Sequence, residues 1–218
     1  MTESAALPER FAIFPLSGAL LLPGGRLPLN IFEPRYKAMV EHALGSGRVM
    51  GMVLPDPALP RPGGRSGIYR TGCLGRIASF AETGDGRYLI TLLGLWRFDV
   101  LRELPDDTAG YRRVQADITP YFAIDERRDA DEVDRDALLD ALWPYFRAKQ
   151  IEADREAVER IPLSELLTTL CMICPFDDSE KQALLTAPDT RRRAELLTAM
   201  LRIDAVPALG GDVGRPLQ

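Results

Sequence analysis

Residues 14–36 read FPLSGALLLPGGRLPLNIFEPRY, and this stretch decides the fold. An apolar run from Phe11 to Leu16 ends at Ser17-Gly18, and a second run from Ala19 to Leu22 ends at Pro23-Gly24-Gly25. Short apolar runs that end at glycine are typical of β-strands and turns. The stretch therefore predicts that the chain begins as a β-rich structure.

The next segment, Arg26 to Phe32, has the pattern of a half-buried strand. Leu27, Leu29 and Ile31 alternate with other residues, as the two faces of a strand require. Pro28 lies within this segment and donates no ladder hydrogen bond. We therefore expect this strand to lie at a sheet edge or to contain a bulge.

A helix follows the strand directly. Pro34 suits the first turn, where its missing N–H leaves no bond unmade. Apolar residues then recur at helical spacing, and Gly45 is a plausible end. The residues that form the predicted apolar face are Tyr36, Met39, Val40, Ala43 and Leu44.

The chain continues as β-structure to about residue 122. Residues 55–67 (PDPALPRPGGRSG) are predicted to form a loop, because proline and glycine dominate them. Thr83-Gly84-Asp85-Gly86 is a strong hairpin signal. The predicted strands are Val49 to Leu54, Gly72 to Glu82, Tyr88 to Leu93, and the alternating segments around Phe98 and Ala116.

Beyond a charge-dense linker near residue 123, the pattern becomes helical. Val133 to Lys149 is amphipathic, and Pro144 is expected to kink or divide it. Further helices are predicted at residues 152–160 and after Pro162. Asp177 with Glu180 has capping-box spacing, and Asp189 can cap the last helix. Strands followed by helices indicate an α+β fold.

Composition places the chain among ordinary globular proteins. It has 218 residues, of which 46% are hydrophobic and 27% charged. With 27 Lys+Arg against 32 Asp+Glu, the net charge of -5 argues against a protein that binds duplex nucleic acid. We predict a cytoplasmic protein with no membrane helix, because neither an 18-residue apolar run nor a secretory signal is visible.

Several side chains could serve catalysis or phosphate binding, and each has a simpler structural interpretation. His42 would have to serve any Ser/His catalysis, yet it sits where it can cap the helix end. The chain has no G-x-x-x-x-G-K-[ST] phosphate loop and no G-x-S-x-G motif. Arg191-Arg192-Arg193 is predicted to be a solvated basic face rather than a phosphate clamp. The sequence predicts no enzyme and no cofactor.

Cys171 and Cys174 form a C-x-x-C pair that zinc or thiol exchange could use. Both cysteines fall on the apolar stripe of the helix that follows Pro162, and cysteine packs well as a small hydrophobe. Only Cys73 and His42 could complete a metal site. We interpret the pair as core residues and predict no metal.

The order of motifs resembles the N-terminal, substrate-binding domain family of Lon proteases. The resemblance covers about residues 10 to 205. The motifs that carry it are Phe14-Pro15-Leu16, Leu22-Pro23-Gly24, Leu27-Pro28-Leu29, Ile31-Phe32-Glu33-Pro34-Arg35-Tyr36, Gly51-Met52-Val53, Gly72-Cys73-Leu74-Gly75-Arg76-Ile77, Asp85-Gly86-Arg87-Tyr88, Gly94-Leu95-Trp96-Arg97-Phe98, Pro175-Phe176 and Glu180-Lys181-Gln182-Ala183-Leu184-Leu185.

This resemblance implies a PUA-like β pseudo-barrel with one inserted helix at residues 10–122. A helical bundle at 123–207 follows, and residues 1–9 and 208–218 are expected to be flexible termini. The resemblance also implies a standalone binding module without the ATPase and protease parts of Lon. It is compatible with a homo-oligomer.

The expected ligands are unfolded or degron-bearing polypeptide segments, with a protease or chaperone as the other class of partner. The alternative is an RNA or a nucleotide derivative, which some PUA-like folds bind. The candidate binding residues are Phe32, Glu33, Pro34, Arg35 and Tyr36, together with Pro60 and Arg61 of the 55–67 segment. For Glu33 and Arg35, the simpler interpretation is a helix-end charge and an ion pair with an acid.

Overall fold

The computed structural model describes residues 8–60, 66–122 and 133–206. Eight strands and six α-helices lie in these ranges, with a short 3-10 helix at Thr119–Tyr121. The strands are β1 (Arg10–Pro15), β2 (Arg26–Ile31), β3 (Val49–Val53), β4 (Pro55–Pro60), β5 (Ser66–Ile68), β6 (Thr71–Glu82), β7 (Tyr88–Leu104) and β8 (Arg112–Asp117). The helices are α1 (Pro34–Gly45), α2 (Arg135–Ala148), α3 (Arg155–Arg160), α4 (Leu163–Ile173), α5 (Asp178–Thr186) and α6 (Thr190–Ala205).

The main sheet has the order β2-β7-β6-β3-β1-β8, and β7 also pairs with β8. This extra pairing closes five strands into the predicted pseudo-barrel. The closure depends on the length of β7, whose first half pairs with β2 and whose second half, from Asp99, pairs with β8. The sequence suggested two segments here, but β7 runs unbroken from Tyr88 to Leu104.

β2 lies at the edge of the sheet, as Pro28 predicted. Together with the first half of β7 and the second half of β6, it forms a three-stranded ribbon that extends beyond the closed barrel. We call these three segments the ribbon. α1 follows β2 and buries Met39, Val40 and Ala43, three residues of its predicted apolar face.

Two sequence predictions need correction. The 55–67 segment is not simply a loop, because β4 and β5 pair there as a separate two-stranded sheet. Prolines are tolerated in such a hairpin because each strand has an unpaired edge. A side chain at Gly67 would collide with the Leu59 carbonyl, so glycine allows the close approach.

Pro144 does not divide α2, which is continuous from Arg135 to Ala148. Both Pro144 and Asp140, whose carbonyl loses its helical partner, lie on the exposed side. The freed carbonyl can therefore face water. The predicted caps of the other helices are present, including the capping box of Asp177 and Glu180 and the Asp189 cap of α6.

Phe98 fills the centre of the barrel. Its ring lies edge-on to that of Phe11, with centroids 4.9 Å apart. A Cβ at Gly51 or Gly72 would come within 3.0 Å of the Phe98 ring, so both glycines leave the room that it occupies. A second and larger apolar cluster continues from the ribbon and α1 into α2, α4, α5 and α6.

The barrel holds the first turn of α5 through the tight turn after β1. The Asp178 carboxylate accepts the Ser17 hydroxyl at 2.6 Å and the Gly18 N–H at 2.7 Å. The buried Lys181 ammonium donates to the Gly18 carbonyl. Gln182 donates to the Thr71 carbonyl at 3.2 Å. The α5 N-terminus is therefore fixed to two parts of the barrel.

The last turn of α5 is held by two buried arginines. Arg97 of β7 is 1% exposed, and its Nη1 lies 3.0 Å from the Leu185 carbonyl and 2.5 Å from that of Ala187. Arg193 of α6 donates its Nε to the Leu184 carbonyl at 2.9 Å. The last carbonyls of a helix lack partners within it, and α5 has no basic residue in its own last turn. We call the contacts at both ends of α5 the α5 clamp.

Arg193 corrects the prediction of a solvated basic run. Arg191 and Arg192 are exposed and pair with Glu195, as a solvated face would. Arg193 is buried because the helix turns it towards the end of α5. The three residues fan around the helix and so meet different surroundings.

Arg97→Met is expected to lower the free energy of unfolding by on the order of 3–5 kcal/mol. The apolar replacement leaves the buried carbonyls of Leu185 and Ala187 without their donor. Urea denaturation measures the change. The matched control is Arg102→Met, which removes an exposed arginine of the same strand and should change stability by only about 0.5 kcal/mol. Equal effects of the two substitutions would contradict the role of Arg97.

Candidate functional site

The candidate surface lies at the end of the ribbon next to the β6–β7 turn, where β2 passes into α1. Phe32 follows the last residue of β2 and is 63% exposed. Its neighbour Ile31 is buried and pairs with Tyr88 at the start of β7. The strand thus ends with one apolar side chain inside and the next one outside.

Glu33 and Arg35 form an ion pair beside Phe32. Arg35 lies 2.7 Å from Glu33 Oε2 through Nη2 and 3.0 Å through Nε. The Glu33 side chain makes no cap hydrogen bond to α1, although its residue is the N-cap. The prediction that Arg35 pairs with an acid is therefore confirmed, with Glu33 as the acid.

Tyr36 anchors this corner to the core. Its ring packs on that of Phe14 with centroids 4.4 Å apart, and the Arg35 guanidinium lies 4.5 Å from the Tyr36 ring centroid. Pro34 is exposed at the first turn of α1. The corner therefore presents Phe32 and Pro34 to solvent, while Tyr36 and the ion pair fix its shape.

α1 is tied to the ribbon through Tyr88. Its hydroxyl donates to Glu41 at 2.6 Å, and this bond to the carboxylate raises the pKa of Tyr88 to about 12. Lys37 donates to the Gly86 carbonyl at 2.6 Å and lies 4.5 Å from the Tyr88 ring centroid. The position of Phe32 between β2 and α1 is thus held from both sides.

The outer face of the ribbon is a shallow hollow of about 410 Å³. Leu89 is exposed there, next to Asn30 of β2 and Ala81 of β6 in the strand register. Phe80 borders the hollow and packs on Tyr88, with centroids 5.0 Å apart. The ribbon therefore carries exposed apolar side chains beyond Phe32.

Sequence reasoning missed Phe80 and Leu89 as surface residues. A signal was present in Tyr88–Leu93, which reads YLITLL and has an apolar residue at nearly every position. A strand with one solvated face should alternate, so a run of this kind indicates that both faces are apolar.

The other predicted site residues lie elsewhere. Pro60 belongs to the β4–β5 hairpin and not to the ribbon. Arg61 lies outside the described residues. The hairpin is attached near the barrel end, where Tyr69 N–H donates to the Leu54 carbonyl and Arg112 donates to the Ser66 carbonyl.

Comparison with known proteins agrees with this architecture. Residues 10–202 match the family described as the ATP-dependent protease La (LON) substrate-binding domain. The chain belongs to this family.

Individual relatives of this Lon substrate-binding domain are themselves Lon proteases. Lon protease 2 of Myxococcus xanthus is 25% identical over 205 residues, which are 89% of this chain and 24% of the relative. Lon protease of Salinispora arenicola is 27% identical over 191 residues, which are 87% of this chain and 23% of the relative. The chain thus spans about a quarter of the length of the curated relatives it matches.

Two solved structures share the fold. The Lon N-terminal domain protein from Xanthomonas campestris has a TM-score of 0.60 and 25% identity, with 87% of this chain and 97% of that chain covered. The N-terminal domain of the Mycobacterium avium complex Lon protease has a TM-score of 0.58 and 19% identity, with coverages of 88% and 97%. The α+β fold is therefore that of Lon N-terminal domains.

The side chains that could act as nucleophiles have structural roles in this Lon substrate-binding domain. Cys73, Cys171 and Cys174 are all buried, and none of them is in a disulfide. Burial raises the pKa of the Cys174 thiol to about 11, which disfavours the reactive thiolate. The Ser17 hydroxyl donates to Asp178 at 2.6 Å, so it serves the α5 clamp.

Residues 8–60, 66–122 and 133–206 contain no group of three or more His, Cys, Asp or Glu residues that could hold a metal ion. In the same ranges, no helix is both long and apolar enough to cross a membrane.

The three thiols should react with Ellman's reagent at least about a thousandfold more slowly in the folded protein than in urea. The reason is burial, since reaction requires the rare opened state and Cys174 also resists ionisation. Release of thionitrobenzoate measures the rate. A thiol that reacts at the rate of a free cysteine under native conditions would show that its site is open and chemically available.

Proposed function

We propose that this chain is a non-catalytic module that binds unfolded or degron-bearing polypeptide segments, as an adaptor or chaperone-like protein. The observation that carries the proposal is the match of residues 10–202 to a substrate-binding domain family. The division into a barrel subdomain at 10–122 and a helical subdomain at 123–207 is part of the proposal.

The contact surface that we propose is the corner from Phe32 to Tyr36 with the adjoining ribbon. Unfolded segments differ from folded proteins in offering apolar side chains and free backbone groups, and exposed apolar residues mark interaction sites. Phe32, Phe80 and Leu89 offer such contacts on a frame held by the α1 contacts of Tyr88. Pro60 and Arg61 remain a prediction.

Charge supports a polypeptide over the RNA alternative. The two exposed arginines of the basic run both pair with Glu195, and the Arg35 guanidinium pairs with Glu33. Phosphate binding needs cations that are available for the backbone of the nucleic acid. The ribbon offers apolar side chains instead.

The proposal extends to partners and location. The ligands are polypeptide substrates, and a protease or chaperone that receives them is the second class of partner. A cytoplasmic location and a homo-oligomer belong to the proposal as well.

Phe32→Ser should weaken binding of a labelled, reduced and carboxymethylated lactalbumin by about fivefold or more, because burial of an exposed phenylalanine on the ligand is lost. Fluorescence anisotropy measures binding, with an expected Kd on the order of tens of micromolar or tighter for the unaltered chain.

The matched control is Phe122→Ser, which removes another phenylalanine with high exposure, 55%, outside the ribbon. Its affinity should equal that of the unaltered chain. Failure of the unaltered chain to bind the probe would refute the function, and equal losses in both variants would refute the location.

A further inference from the structure

The outer face of the ribbon has an ordered pattern of side chains. Residues that pair directly across antiparallel strands point to the same side of the sheet. Arg26 of β2 pairs with Leu93 of β7, which pairs in turn with Arg76 of β6, so these three residues form one row across the face. The second row is Pro28, Thr91 and Ser79, and the third row is Asn30, Leu89 and Ala81.

The charges on this face are all positive. Arg26 and Arg76 are exposed, and the three rows contain no aspartate or glutamate. Unlike Arg35, which pairs with Glu33, neither arginine forms an ion pair or a side-chain hydrogen bond within the part of the chain that the structure describes. Glu165 of α4 lines the same concave surface as Arg26 but forms no ion pair with it. The face can therefore attract an acidic ligand.

The two arginines can act on one carboxylate. Neighbouring strands lie about 4.8 Å apart, so the Cα atoms of Arg26 and Arg76 are about 10 Å apart, with Leu93 between them. An arginine side chain is long enough to cover half of this distance, and its planar guanidinium binds a carboxylate through two hydrogen bonds. An acidic side chain above the half-buried Leu93 would thus meet both guanidinium groups.

The other end of the same face is apolar. Leu89 is 46% exposed in the hollow of about 410 Å³, and Ala81 lies beside it. Leu89 comes four residues before Leu93 in β7, which corresponds to about 13 Å along an extended strand. The face therefore offers an apolar contact and a positive contact at a fixed separation.

We propose that this face selects, among the polypeptide segments that the module binds, those with an acidic residue four positions from an apolar residue. The inference rests on the proposed function and adds a ligand preference and two specificity-determining residues to it. The segment lies extended along β7, so that side chains four positions apart point to the same side. Its apolar side chain packs on Leu89, and its carboxylate lies between Arg26 and Arg76.

A single strand of nucleic acid fits this face less well than an acidic polypeptide. Proteins that bind single strands combine a positive groove with aromatic rings on which the bases stack. None of the three rows contains an aromatic residue, because the register pairs Phe80 with the buried Ile90 on the inner side of the ribbon. Two arginines and one leucine suit a carboxylate next to an apolar side chain.

The test uses labelled peptides of serine and threonine that contain one leucine and one aspartate four positions apart, in both orders. In at least one order, the unaltered chain should bind the aspartate peptide about fivefold more tightly than the same peptide with asparagine in place of aspartate. Aspartate at the third position from leucine points away from the face, so that the preference should disappear. High salt should reduce it as well. Fluorescence anisotropy measures the affinities.

Substitution of either arginine locates the effect. Arg76→Gln and Arg26→Gln should each remove most of the preference for aspartate and leave the affinity for the asparagine peptide unchanged. The matched control is Arg102→Gln, which removes an exposed arginine of β7 outside the ribbon and should keep the fivefold preference. All three positions are exposed, so the variants should melt at the temperature of the unaltered chain.

The outcomes separate this inference from the proposed function. If the unaltered chain binds neither lactalbumin nor any of the peptides, the function itself is refuted. If it binds lactalbumin but shows no preference for aspartate, or keeps the preference in both arginine variants, only this inference is overturned. An oligothymidylate that binds more tightly than the aspartate peptide, and loses its binding in Arg76→Gln, would mean that the face binds nucleic acid, which also overturns the inference.

Discussion

The fixing of α5 at both ends is the constraint on which the rest of the structure depends. Its first turn binds the Ser17-Gly18 turn through Asp178 and Lys181. Its last turn receives the guanidinium of Arg97 from the middle of β7. A planar guanidinium can serve several carbonyls at once, and its positive charge suits the negative end of the helix dipole. The nine-residue helix therefore joins the barrel to the helices.

The clamp also adjoins a concave surface between the barrel and the helices. Arg193 helps to hold the end of α5 and lines this surface, so one buried residue belongs to both. The turn Pro23–Arg26 forms another part of the lining, and its backbone bonds to Gly94 in β7. β7 in turn forms the centre of the ribbon. A single long strand thus connects this concave surface to the ribbon.

Much of this architecture could be predicted from local sequence. Alternation gave the strands, Pro28 indicated the edge position of β2, and capping residues such as Asp189 marked helix starts. These features depend on neighbours in the chain. Arg193 could not be told from Arg191, because only the tertiary packing of α6 on α5 decides which arginine is buried.

At the candidate site, too, the sequence predicts local features but not those that depend on tertiary packing. The sequence indicated Phe32 and the pairing of Arg35 with an acid, both of which are local features. It did not indicate that Phe80 and Leu89 are both exposed on the ribbon, since this depends on the register between β6 and β7, in which Phe80 pairs with Ile90 and Ala81 pairs with Leu89. The concave surface between the turn Pro23–Arg26 and α4 could not be predicted either, because its walls come from segments more than a hundred residues apart.

The α5 clamp implies that barrel and helices unfold as one unit, and native-state hydrogen exchange tests this claim most directly. Amides of α5 should exchange with the same free energy of opening as those of β6 and β7, and this equality should hold across low concentrations of denaturant. If α5 and α6 instead exchange together at a clearly lower free energy while β6 and β7 stay protected, the helices form a separate unit and the account is contradicted.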